Sequence, residues 1–332
     1  MDHPATLESP VSEMQIFNAD VPSDLVERLL VMRKQEESAY KCCDYLANFG
    51  NADIDDDCRQ KMADWFYQLV DFCQVSRDNV AFAMDFLDRF LATAVTTPGR
   101  RGSDRARRAI EDRQEYQLAA MTCLYLAINL NETKCMDTAL LSDLSQGKYS
   151  RSDFVAMSEA VMFGLDWHLS SPTPMCVVTH ILAMLPAELH ACDAVKHTLL
   201  ELCQMQTEMA AQDYSYVPVK PTSIAVASVI NAMEKVDQES FPMMSRLVFL
   251  KSLVEADIDA FGPEIDEVRV QLKMTFNASV NGLRQITSLL HINDQEDTAS
   301  KTNSSPHCVS MVPTTKSEQW QYHDLDMEGD TP

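Results

Sequence analysis

Met62, Trp65, Phe66, Leu69, Val70 and Cys73 recur at the spacing that lines up side chains on one face of an α-helix. The three carboxylates Asp55, Asp56 and Asp57 sit just ahead, where the positive end of a helix dipole favours them. Two further stretches, VAFAMDFLDRFLATA (80–94) and YQLAAMTCLYLAINLN (116–131), are apolar nearly all round, as expected of central helices. They cannot cover each other alone and need a surrounding layer. The 57–75 stripe supplies part of it. DTALLSDLS, closed by Gly147, and SRSDFVAMSEAVMFGLDWHL, opened by the capping box Ser150-x-x-Asp153, supply the rest. The pattern predicts a five-helix bundle over 56–170, preceded over 23–55 by a helix that starts at Ser23-Asp24 and a lead-in.

SSPTP breaks the chain, with Thr173 as N-cap and Pro174 at the first helical position. A second helical set is expected near 174–185, 192–211, 222–235, 241–257 and 263–290, filling 171–290. Its third member, TSIAVASVINAME, is again apolar and rich in small residues, a weak echo of the first bundle. The fold class predicted is therefore all-α, two tandem five-helix bundles behind an N-terminal helix. The polar, acidic segments 1–22 and 291–332 are expected to be disordered tails.

Composition narrows the function. Among 332 residues, 46% are hydrophobic and only 8 are glycine, which favours helices over a turn-rich β fold. Acidic residues outnumber basic ones 50 to 27, a formal charge of −23. That excludes general nucleic-acid binding through the whole surface and fits a solvated intracellular protein. The N-terminus lacks the basic and apolar regions of a signal peptide, and the longest apolar run is too short to span a bilayer, so no membrane role is expected. The ten cysteines form no CxxC pair and the eight histidines no ligand spacing, so reduced thiols, no metal and no cofactor are expected. No P-loop, nucleophile elbow or HExxH motif occurs, which points to a protein that acts by binding rather than as an enzyme. One oddity remains: Asp88 lies in the all-apolar 80–94 stretch, so either that face is wet or another element brings a cation to the carboxylate.

CRQKMADW (58–65), NVAFAMDFLDRFLAT (79–93), LDWHLSSPTP (165–174) and the lead-in RKQEESAYKCCDYL (33–46) together resemble the cyclin family, in the D-type or diatom-expanded flavour. The resemblance covers roughly 24–285 and implies two cyclin-fold bundles. It pairs Arg59 with Asp88 as a buried ion pair. The residues agree, because Arg59 is one turn into a helix whose apolar stripe must face 80–94. It also implies a regulatory subunit that binds and activates a cyclin-dependent kinase in cell-cycle control, in nucleus and cytoplasm. A cyclin-fold scaffold that binds without activating is the second reading.

By the same resemblance, kinase contact falls on Asn129, Leu130, Glu132, Lys134, Ser158, Glu159 and Phe163. The family's anchoring Lys and Glu positions hold Asn129 and Ser158 instead, and Lys134 is the nearby replacement cation. A groove for Arg-x-Leu peptides of substrates or inhibitors maps onto Cys58, Lys61, Met62, Trp65, Tyr116 and Gln117. Trp65 equally suits plain core. Six arginines between Arg100 and Arg113 read as an import signal, a phosphate contact or a kinase site at Ser103, or else as a solvated loop continuing into the next helix. Ser305 in the C-terminal tail is a second candidate phosphosite, of the kind that controls degradation in the resembling family.

Overall fold

A helix, α1 (Ser23–Glu37), comes first; Asp55 then accepts a hydrogen bond from the Cys58 backbone N–H at 2.8 Å and starts α2 (Asp56–Cys73), in the outer layer of the first bundle. The structure, a computed structural model, describes residues 23–50, 52–133, 135–186 and 193–292, with side chains in the last helix as far as 277. Every described regular element is helical. The expected disorder of 1–22 and 291–332 and the candidate Ser305 lie outside the described residues, apart from the last turn of the final helix.

The two apolar stretches form α3 (Asp78–Thr96) and α5 (Arg113–Asn131), which pack against each other at the centre of one core. Around them lie α2, α6 (Thr138–Leu144) and α7 (Arg151–Gly164), the last opened by the Ser150–Asp153 capping box. One element departs from the sequence reading. The arginine-rich connection is not a solvated loop but a separate helix, α4 (Ser103–Glu111), so the first bundle has six helices among the described residues. Ala106, Ala109 and Ile110 anchor α4 on the core, three small or medium side chains that the arginines outweigh in any hydropathy window. The second core is built by α8 (Pro174–Leu182), α9 (Asp193–Gln212), α10 (Pro221–Met233), α11 (Met243–Glu255) and α12 (Pro263–Ile292).

The cation for Asp88 is Arg59. Its Nε and Nη2 donate to the two carboxylate oxygens at 3.0 and 2.8 Å, and both side chains are buried. Burial alone lowers the arginine's pKa, but the Asp88 carboxylate more than offsets it and holds the group above its ordinary value. Tyr45, fully buried from the lead-in, donates its hydroxyl to the same carboxylate at 3.0 Å. The remaining guanidinium donor, Nη1, reaches the carbonyl of Gln212 at 3.1 Å, at the negative end of α9. One arginine thus fixes how α2 crosses α3 and ties the first bundle to the second. A second link stands beside it. Arg77 makes two hydrogen bonds to Glu208 of α9, at 2.9 and 2.7 Å, with its guanidinium over the Tyr67 ring.

α1 belongs to the second core although it precedes the first. Leu29 is buried there, Arg33 bonds Asp257, and Glu36 accepts the Thr222 N–H at 2.9 Å in the first turn of α10. A carboxylate suits that helix end, but burial raises the pKa of Glu36 against the opposing pull of Thr222 and Lys220. A raised carboxylate pKa means stability that is full below pH ~4.5, the unfolded value, and is lost as pH climbs through the folded value. Glu36→Gln keeps an acceptor for Thr222 and removes the titration. The variant is expected to gain on wild type as pH rises through that window, measured by denaturant midpoints from pH 4 to 8; a constant difference would refute the assignment.

Candidate partner-binding face

Asn129 lies in the last turn of α5, where the chain leaves the helix for the stretch before α6. Its amide clamps that turn: Nδ2 donates to the Met136 carbonyl at 3.1 Å and Oδ1 accepts the Met136 N–H at 2.6 Å. Ser158 on α7 is only 8% exposed, and its hydroxyl donates to the Phe154 carbonyl one turn back at 2.8 Å. Both positions where the resemblance calls for an anchoring charge are therefore committed inward. Glu132 is committed too, its Oε1 accepting from Ser76 N at 2.9 Å and Asn79 Nδ2 at 2.8 Å at the start of α3. Lys134 lies outside the described residues.

Of the remaining positions Glu159 is exposed and paired with Arg101, and the others are apolar. Leu130 is 53% exposed at the end of α5 and Val155 is 59% exposed on α7. Phe163 is half-buried, its ring edge-on to Trp167 at 5.7 Å. Trp167 is 58% exposed, in the turn that ends α7. It and Asp166 both take left-handed backbone, with φ 62° and 50°, which is uncommon for side chains of this size. The turn is closed by the Trp167 N–H on the Met162 carbonyl at 2.9 Å and holds the indole out from the helix. Sequence reading missed Trp167 because no Gly or Asn marks the turn; an aromatic residue just past a helix whose core face is already filled is the one signal available.

The positions expected to line the peptide groove are mostly buried. Cys58, Met62, Trp65, Tyr116 and Gln117 are all buried, and of the six positions only Lys61 keeps substantial exposure. Trp65 packs on Phe66, the core alternative, and the Gln117 carbonyl accepts from Lys148 Nζ at 2.9 Å and Tyr149 Oη at 3.0 Å. Lys148 and Tyr149 come from the α6–α7 turn, more than 30 residues on by the numbering, so these contacts have no local sequence signal.

The arginine segment is corrected as well. Ser103 is 2% exposed with its hydroxyl on the Arg100 carbonyl at 2.8 Å, so a kinase has no access to it in the folded chain. Nor is the cluster an open basic patch. Arg100 pairs with Asp166, Arg101 with Glu159, Arg105 with Glu115 and Arg113 with Asp53, while Arg107 lies over Phe49. These pairs lace the segment to its own bundle.

Among the described residues no group of His, Cys, Asp and Glu is placed to hold a metal ion, and the eight cysteines are unpaired. No described helix is long and apolar enough to cross a membrane. A cavity of about 340 Å³ lies between the bundles and is lined by Glu36, Tyr40, Arg59, Tyr67, Arg77 and Glu208 among others. Of these, Arg59, Arg77 and Glu208 are paired and Glu36 caps a helix in the contacts described above.

Comparison with known proteins places part of this helical chain. Residues 27–170 match the family model for the cyclin N-terminal domain. That segment carries the chain's similarity to the cyclin box. It is 24% identical over 205 residues to the G1/S-specific cyclin-D1 of Danio rerio, covering 60% of this chain and 64% of that one. It is 26% identical over 225 residues to the G2/mitotic-specific cyclin-2 of Antirrhinum majus, covering 66% of this chain and 46% of that one. The matches thus span less than two thirds of these relatives' own length. The crystal structure of a viral cyclin from herpesvirus saimiri shares the fold, with a TM-score of 0.51 at 14% identity over 77% of this chain and 98% of that one.

Proposed function

We propose that the chain is a regulatory subunit that binds and activates a cyclin-dependent protein kinase in cell-cycle control, acting in nucleus and cytoplasm. The observation that carries the reading is the outward apolar face of α5 and α7, on a cyclin box whose core is complete without it. Leu130 on α5 and Val155 and Trp167 on and just past α7 are large apolar groups more than half exposed, and Phe163 is half-buried against Trp167. A kinase's regulatory helix is pushed inward by such a face, which assembles the kinase's Lys–Glu pair and orders its activation loop. Arg-x-Leu peptides of substrates or inhibitors are the second class of partner in this reading, at the positions around Lys61 and Trp65.

One observation favours a second reading. With Asn129 and Ser158 both hydrogen-bonded inward, the face lacks charge at the two expected places, which suits a scaffold that binds without activating. The test is a panel of cyclin-dependent kinases titrated with the full chain, reading Kd and phosphorylation of a generic substrate. Binding in the range of ~1 µM or tighter with a rise in activity supports the regulator. Binding with no rise selects the scaffold, and no binding to any kinase refutes both.

A further inference from the structure

The segment between α3 and α4 is seated on α7 by backbone contact. Gly102 has φ 97°, and a Cβ there would lie 2.5 Å from the Ala160 carbonyl oxygen and 2.9 Å from the Gly164 nitrogen. This close approach carries two arginines onto the outer side of α7. Arg100 donates from Nη2 to Asp166 at 2.6 Å. Arg101 donates from Nη2 to Glu159, and its guanidinium carbon sits 3.4 Å from the centre of the Phe163 ring. The Phe163 ring is thus held between Arg101 and Trp167.

We infer that Arg101, held by Glu159, is the charged anchor of the partner face, in place of the charges absent at Asn129 and Ser158. The inference rests on the kinase-binding reading above and names the group that makes it work. A guanidinium carries five N–H donors in a fixed plane. Glu159 engages the Nη2 side, and the side chain stays 63% exposed over the Phe163 ring, which leaves donors free for a partner. The occupant that fits is the carboxyl end of a partner helix. Its last carbonyls have no partners within the helix and carry the negative end of the dipole, and the apolar side chains of its last turn meet Phe163 and Trp167. Arg and Trp are also the residue types that dominate binding energy in protein interfaces. The ion pair and the ring hold the guanidinium in place before the partner arrives, which lowers the entropy lost on docking.

The experiment compares Kd for a kinase that the wild-type chain binds, using Arg101→Ala, Arg101→Lys and, as control, Arg108→Ala at an exposed arginine of α4. Arg101→Ala is expected to weaken binding by about tenfold or more. Arg101→Lys, which keeps the charge and loses the planar fork, should fall between it and wild type, and Arg108→Ala should match wild type. Thermal melts of all three should stay close to wild type, since the side chain is exposed. Unchanged or tighter binding by Arg101→Ala overturns the inference and leaves the kinase reading standing; a tighter complex would make Arg101 a cover over Phe163. Equal weakening by Arg108→Ala reduces the effect to bulk charge and overturns it too. If wild type binds no kinase, the kinase reading fails and this inference with it.

Discussion

Arg59→Ala is expected to lower folding stability by about 3–5 kcal/mol, because it strips the partner from a carboxylate that cannot reach water. Asp88 would keep the Tyr45 hydroxyl and nothing of comparable strength, and the Gln212 carbonyl would lose its donor from α2. For a chain of this size the loss corresponds to a fall in Tm on the order of 10 °C. The buried pair itself adds little net stability, since desolvating two ions consumes most of their attraction. The double variant Arg59→Met with Asp88→Leu should therefore recover much of the loss. What it fails to recover measures the orphaned Tyr45 hydroxyl and the lost bridge to α9. Thermal melts of the two variants decide the matter, and a single mutant melting within 2 °C of wild type, on the order of ~0.5–1 kcal/mol, would show Asp88 to be hydrated.

Gly102→Ala should be the most damaging single methyl on the surface of the first bundle. Two effects add. The backbone there has φ 97°, which a residue with a Cβ adopts only with strain, and the methyl would be driven into the Ala160 carbonyl and the Gly164 backbone. Both neighbours are main chain and cannot swing aside, so the connection must lift off α7. The expected loss is about 2–4 kcal/mol, strain and lost seating together. The lift also separates Arg101 from Glu159 and Phe163, so partner affinity should fall more than the exposed surface alone would suggest. A Tm shift with undiminished kinase binding would mean that Arg101 finds Glu159 without the glycine's help.

The central helices were legible because their patterns are local and periodic. Met62, Phe66, Leu69 and Val70 repeat on one face, Ser150 and Asp153 stand three apart, and a single Asp88 in an apolar helix demands a cation that the neighbouring stripe can supply. What escaped the sequence is set by groups distant along the chain. Gln117 looks available until Lys148 and Tyr149 fold over it. Asn129 looks like a missing charge, and its amide geometry toward Met136 appears only once the turn is built. α4 hides behind its arginines, which look like a solvated run until Arg105 is seen against Glu115 and Arg107 over Phe49. Ser103 shows the same limit from the other side: its flanking residues make a motif, and packing withdraws it.

The placement of α1 sets an order on assembly during synthesis. The first core draws on residues 45–165 and can close as soon as those have emerged, in the manner of N-terminal domains on the ribosome. α1 leaves the ribosome before any of them, yet its seat is made by Thr222 and Asp257, some two hundred residues later. Until then Leu29 has no core to enter, and the helix waits at the end of a tether already fixed at Tyr45. Closing that long loop is the last and slowest kind of contact, so the second bundle completes only when the beginning of the chain returns to it.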